Sequence, residues 1–112
     1  MNPRVIEETD ALTHLALEGD LDIPGVNAVG DKFYFHLTAR RKPSIVDIAA
    51  VRFMSSLGIG LLVRVSQSLR RFGVGMVLVG AGGKVDEMLR MTNIDKVIPM
   101  AATRDQALAL LK

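Results

Sequence analysis

Two adjacent serines, Ser55 and Ser56, stand between an apolar stretch and an amphipathic one. The stretch before them, Ser44 to Ile48, is β-branched and apolar, the pattern of a central strand. The stretch after them, about Ser56 to Phe72, repeats apolar residues at three and four positions, the pattern of a helix. A brief loop is expected to join the two. A hydroxyl at that point, with Ser56 as the candidate, meets the positive end of a helix dipole, where unpaired N–H groups favour a phosphate. Two chemistries fit. Serine can simply cap the helix, a contribution of about 1 kcal/mol. Alternatively, Ser56 is phosphorylated, which adds roughly two negative charges. Such a group would repel a partner packed over the loop without melting the helix. Small neighbours such as Ala49, Ala50, Ser55 and Gly58 leave the loop open to a kinase.

Other candidates are weaker. Asp20 and Asp22 fall in Gly19-Asp20-Leu21-Asp22-Ile23-Pro24-Gly25, where aspartate serves turns and caps as readily as a site. Asp47, near a strand end, has the position of a receiver-type phosphoacceptor. That role needs acidic neighbours for Mg²⁺ and a supporting lysine, and Lys96 precedes the last expected strand instead of ending it. Gly80-Ala81-Gly82-Gly83-Lys84 has phosphate-loop spacing in part, but Val85 occupies the position of the Mg²⁺-binding hydroxyl, so a flexible connection is expected. Arg40-Arg41-Lys42 reads as solvated charge at a helix end. No nucleophile, base and orienting group fall together, and His14 and His36 lack evident catalytic partners. A non-enzymatic protein is expected, with no cofactor and no metal.

The elements that must position these residues follow from periodicity. Arg4 to Glu8 and Ala11 to Gly19 read as paired strands, with Leu15 and Leu17 on one apolar face. Pro24 suits the start of a helix to about Ala39, with an inner stripe of Val26, Val29, Phe33 and Leu37. Phe35 falls on the opposite side and is expected to face outward. The helix after Ser56 has the inner stripe Gly58, Leu61, Leu62, Val65, Leu69 and Phe72, with Arg64, Gln67 and Arg71 outward, and Gly73 ends it. Val74 to Val79 is a strand and Lys84 to Met91 a short helix with Val85, Met88 and Leu89 inward. Lys96 to Met100 is a last strand, and Thr103 to Leu111 a helix capped by Thr103, with Gln106 at the capping-box position. The order β-β-α-β-α-β-α-β-α implies an α/β fold with a mostly parallel sheet.

Bulk properties bound the rest. With 112 residues, 49% of them hydrophobic, the chain suffices for one domain, 1–112, with a real core. There is no cysteine, which removes disulfides and thiol chemistry and fits a reducing cytoplasm. No apolar run reaches the roughly 20 residues that span a bilayer. The segment Met1 to Asp10 is too acidic for a secretory signal. Stacking aromatics are scarce, with no tryptophan and one tyrosine, so nucleic acid is not an expected partner.

Three stretches carry a family resemblance. Asp47, Val51, Phe53, Met54, Ser56, Gly58, Ile59 and Gly60 match the signature loop of STAS domains of the bacterial anti-sigma factor antagonist family. Leu17-Glu18-Gly19-Asp20-Leu21-Asp22 resembles that family's Leu-x-Gly-Glu-Leu-Asp, and Arg71 to Leu78 its helix-to-strand turn after the signature helix. The resemblance covers almost the whole chain. It implies a small mixed sheet with helices mainly on one side and a partner-switching protein of transcription regulation. In that family the serine aligned with Ser56 is phosphorylated. The implied binding face comprises Asp20, Asp22, Ser55, Ser56, Leu57, Gly58 and Arg64, with Arg71 able to meet acidic partner groups. The implied partners are an anti-sigma factor with serine-kinase activity and a serine phosphatase. Two positions depart from the family: Ser55 replaces a frequent aspartate, and Leu57 a frequent serine or threonine. Both departures also fit an alternative, a STAS subunit that docks on an ABC-type lipid-transporter ATPase without phosphorylation.

Overall fold

The computed structural model describes residues 3–111. Among them the chain runs β1 (Arg4–Glu8), β2 (Thr13–Leu21), α1 (Ile23–Arg40), β3 (Ser44–Met54), α2 (Ser56–Arg71), β4 (Met76–Val79), α3 (Gly83–Met91), β5 (Met100–Ala101) and α4 (Arg104–Leu110). The five strands form one sheet in the order β1-β2-β3-β4-β5. β1 runs antiparallel to β2, and every later pair is parallel. The expected α/β fold and element order are both present.

Alternation along the strands divides the sheet into two faces. Leu15, Leu17 and Leu21 of β2, Val46 and Ile48 of β3, and Leu78 of β4 meet Phe33, Leu37, Leu62, Leu69 and Leu89 of α1, α2 and α3 in the main core. Ile45, Val77 and Val79 meet Ala107 of α4 on the other face. Three helices thus cover one side and the short α4 the other. Because both faces are covered, β2 buries Thr13, His14 and Ala16 as well as Leu15 and Leu17, where the sequence suggested one apolar face.

Three boundaries differ from expectation, each for a readable reason. β2 continues through Gly19 to Leu21, so Asp20 is a strand residue and not part of a turn. β3 continues to Met54, where a loop was expected after Ile48. Its register against β2 shifts twice, between Ala16 and Glu18 and between Gly19 and Asp20, and β3 supplies the extra residue each time. Its buried positions on the helix side are therefore Val46, Ile48, Val51 and Met54, a spacing of two, three and three that hides the strand period. Finally, Ile94 to Lys96 forms a 3₁₀ turn, and the last strand is only Met100–Ala101. Ile94 and Ile98 are both buried, and the Ile98 N–H donates to the Ile94 carbonyl at 2.8 Å, which is helical rather than strand spacing.

The helices follow the sequence closely. α1 is capped by Asp22, whose Oδ1 accepts from the Gly25 N–H at 2.9 Å. Its inner stripe is Val29, Gly30, Phe33 and Leu37, with Val26 half-buried. Phe35 points outward as expected, 63% exposed. Phe72 leaves the inner stripe of α2: it lies past the last helical turn and is exposed. Gly73 follows at φ +76°, the left-handed turn that ends the helix. Thr103 caps α4 by accepting from the Gln106 N–H, while the Gln106 side chain accepts from the Ala102 N–H instead of closing the box on Thr103.

Candidate functional site

The strand–helix junction at Ser55 divides its two hydroxyls between two jobs. Ser55 is the N-cap of α2: its Oγ accepts from the Gly58 N–H at 3.3 Å. The same Oγ donates to the Leu21 carbonyl at 2.7 Å, and the Ser55 N–H donates to that carbonyl at 2.9 Å. The hydroxyl is thus spent tying α2 to the end of β2. Ser56 is the first helical residue, is exposed, and makes no side-chain hydrogen bond among the described residues. The Ile59 N–H bonds back to the Ser55 carbonyl, so the Ser56 and Leu57 N–H groups remain as the unpaired donors of the first turn. α2 has no acidic residue in that turn, and none along its length, to oppose an anion there.

Gly58 explains how the helix comes so near. A Cβ at this position would lie 2.9 Å from the Leu21 carbonyl oxygen and 3.1 Å from Met54 Cγ. Gly60, two residues on, faces open space. Between the first turns of α1 and α2 this leaves a groove of about 470 Å³, lined by Asn27, Asp31, Ser56, Leu57, Gly60 and Arg64 among others. Leu57 is 47% exposed, an apolar side chain beside the free hydroxyl. Arg64 lies two turns along α2, its guanidinium 5.1 Å from the centre of the Tyr34 ring.

The two aspartates take different places. Asp22 is the α1 cap, and the Leu21 carbonyl beside it holds Ser55, so the Asp20–Asp22 segment and the serines share one corner. Asp20 sits in β2 opposite Phe53 and pairs with Arg52 at 3.7 Å, both side chains well exposed. Ser55, Ser56, Leu57 and Gly58 are therefore gathered with Asp20 and Asp22, and Arg64 stands at the far end of the groove. Asp47 does not join them: it pairs in register with Ala16, six β3 positions before Phe53. At ~3.3 Å per residue that is roughly 20 Å away. No group of three or more His, Asp or Glu able to hold a metal comes together among the described residues.

Sequence reading missed Arg52, Asn27 and Asp31. Arg52 lies in the part of β3 taken for a loop. Asn27 and Asp31 stand four apart on α1, and with Tyr34 they form the stripe beside the buried one, which the same 3.6 period could have shown.

A family model for the STAS domain matches residues 3–107. Among similar solved structures is an anti-sigma factor antagonist from Mycobacterium paratuberculosis, 24% identical with a TM-score of 0.84, over 97% of this chain and 92% of the other. The phosphorylated form of the Bacillus cell fate determinant SpoIIAA is 17% identical with a TM-score of 0.68, over 96% of each chain. The STAS domain of a SulP transporter from Vibrio cholerae is 23% identical with a TM-score of 0.68, over 89% of this chain and 79% of the other. At these identities the structural likeness establishes the fold.

Proposed function

From a chain that belongs to the STAS domain family, we propose an anti-sigma factor antagonist: a non-enzymatic, cytoplasmic, single-domain switch that binds an anti-sigma factor while Ser56 is unphosphorylated. The anti-sigma factor, acting as a serine kinase, phosphorylates Ser56 and is released; a serine phosphatase restores binding. The observation that carries this reading is the division of labour between the serines. Ser55 holds the corner together, so the Ser56 hydroxyl can be modified without unmaking the helix cap. The two unpaired N–H groups of the first turn favour the new charge. The binding face comprises Asp20, Asp22, Ser56, Leu57 and the outer side of α2 as far as Arg64, while Ser55 and the buried Gly58, expected on that face, hold it from beneath. Losing the one exposed charge at Arg64 changes binding by only about 0–1 kcal/mol.

Ser56→Asp tests the proposal. It should abolish binding to the anti-sigma factor while thermal stability stays within about 1 kcal/mol of wild type, because an acidic group at a helix start is tolerated. Ser56→Ala should bind constitutively. Phosphopeptide mass spectrometry on protein from its native host should find phosphate on Ser56 that varies with growth conditions. A second reading rests on the exposed Leu57, an apolar contact where the family often has a hydroxyl. It is constitutive docking on an ABC-type transporter ATPase. Absence of phosphate under all conditions, with co-purification of such an ATPase, would select it.

A further inference from the structure

The two helices that frame the candidate site also converge at their opposite ends, and the surface there is different in kind. α1 closes on Arg41 and α2 on Phe72. Between them lies an open cavity of about 290 Å³, framed by Phe35, Thr38, Arg41, Ser68, Arg71 and Phe72 among others. Phe35 is 63% exposed and Phe72 45%. The rings are nonetheless supported. Tyr34 meets Phe35 edge-on, at 5.5 Å between centroids and 88° between planes. The Tyr34 hydroxyl bonds to Ser68 Oγ at 2.8 Å, which ties α1 to α2 beneath the patch.

The charges lining this cavity are of one sign. No residue lining the cavity is acidic, and α2 has no carboxylate along its length. The neighbouring arginines are committed to the fold: Arg40 bonds to Thr13 Oγ1 and the Thr9 carbonyl, and Arg70 to the Val97 carbonyl. Arg41 and Arg71 make no ion pair among the described residues. Arg41 takes the left-handed conformation at φ 55°, a place usually given to glycine, and its guanidinium lies 4.2 Å over the Phe72 ring. Helix-end charge alone accounts for cations near these carbonyls, but not for two open aromatic rings beside them.

We propose that this end of the α1–α2 surface is a docking site for an acidic protein segment that carries one large apolar side chain. The cavity falls just below the roughly 300–1,000 Å³ of small-molecule pockets and suits a single anchoring side chain. Aromatic and arginine side chains are the residues that dominate such contacts. Arg41 and Arg71 supply the charge complementarity that selects an acidic segment and fixes its orientation. The site is distinct from Ser56 itself: Ser68 and Phe72 lie 12 and 16 residues further along α2, about 18 to 24 Å away at ~1.5 Å per residue. That exceeds the Debye length of about 8 Å at physiological salt, so a charge on Ser56 does not reach it.

The test uses a synthetic peptide of glutamates and leucines around one tryptophan. The chain has no tryptophan, so the peptide's emission reports binding directly. Saturable binding is expected, weakened by salt, with amide shifts in ¹⁵N spectra centred on Phe35, Ala39, Ser68 and Phe72. Arg41→Glu/Arg71→Glu, shown to be folded by circular dichroism, should weaken binding roughly tenfold or more, and Phe35→Ser should weaken it as well. Ser56→Asp should leave it unchanged, which keeps this result separate from that of the switch. Equal binding by the charge-reversed protein, equal binding of a peptide with lysines for glutamates, or no saturation at millimolar peptide would each overturn the proposal. So would amide broadening with phosphatidylglycerol vesicles but not with peptide, or peptide-independent shifts that grow with protein concentration.

Discussion

The β2–β3 ladder is built in two unlike halves. From Thr13 paired with Ser44 to Ala16 paired with Asp47 the register is unbroken, and β4 continues it on the other side. Helices cover both faces, so Leu15, Val46 and Ile45 are wholly buried. Between the Ala16–Asp47 pair and the Leu21–Met54 pair, β3 carries two extra residues and β4 no longer accompanies it. Here one face packs, through Leu21, Val51 and Met54, while Arg52 and Phe53 stand exposed. The regular half makes the fold, and the bulged half aims the Ser55–Ser56 corner. Surrounding the site with irregular, one-sided strand separates what must be stable from what must be reached.

Truncations in the two halves should sharpen that contrast most. Ile45→Ala empties a fully buried position and should cost about 2–5 kcal/mol in chemical denaturation. Phe53→Ala removes a larger side chain from the bulged half, where it is 47% exposed, and should cost under about 1 kcal/mol. Comparable losses would show that the bulged half has a core of its own.

The same contrast explains what the sequence could reveal. Where alternation or helical period is unbroken, it was legible: β3 from Ser44 to Ile48, the inner stripe of α1, the cap at Thr103. Where β3 adds a residue at each register shift, Val51 and Met54 fall at helical spacing and the strand is lost to view. The short β5 failed for a related reason, since Ile94 and Ile98 pack from a helical turn. At the candidate site, the junction of strand, serines and helix could be read from residue order, and Asp20, Asp22 and Ser55 to Gly58 do share a corner, with Arg64 two turns away along α2. The capping role went to Ser55 and not Ser56, because the choice depends on the Leu21 carbonyl, which arrives from a strand more than thirty residues earlier.

Next in size are changes at the corner itself. Gly58→Ala would press a methyl against the Leu21 carbonyl and should cost about 1–3 kcal/mol. Gly60→Ala, in open space on the same helix, should stabilise by about 0.5–1 kcal/mol. Ser55→Ala loses the cap and the tether to Leu21 and should cost about 1 kcal/mol, up to 2. Ser56→Ala should change stability by under about 0.5 kcal/mol. Thermal melts of the four variants decide the matter: equal effects of the two serines would erase the distinction on which the proposed switch rests.

The smallest effect lies in the regular half. His14 is buried beneath α4, where its Nδ1 meets Arg104 Nη1 at 3.1 Å and its Nε2 has no partner. Arg104 in turn bonds Glu7 at 2.7 Å. An arginine can only donate, so Nδ1 accepts and the ring is neutral, with its proton on Nε2. Burial, then the Arg104 charge, lowers the His14 pKa below 6.5, while Asp47 and Glu7 act the other way. The unfolded chain therefore binds more protons than the folded one in the window just below 6.5. Stability from this group is complete above 6.5 and declines as pH falls through the lowered value. His14→Gln keeps an acceptor for Arg104 and cannot titrate. The difference in urea midpoint between wild type and His14→Gln should shift against the wild type between about pH 7.5 and pH 5.5. A constant difference would mean that the ring is not held neutral, and that the regular half is less closed to protons than its burial implies.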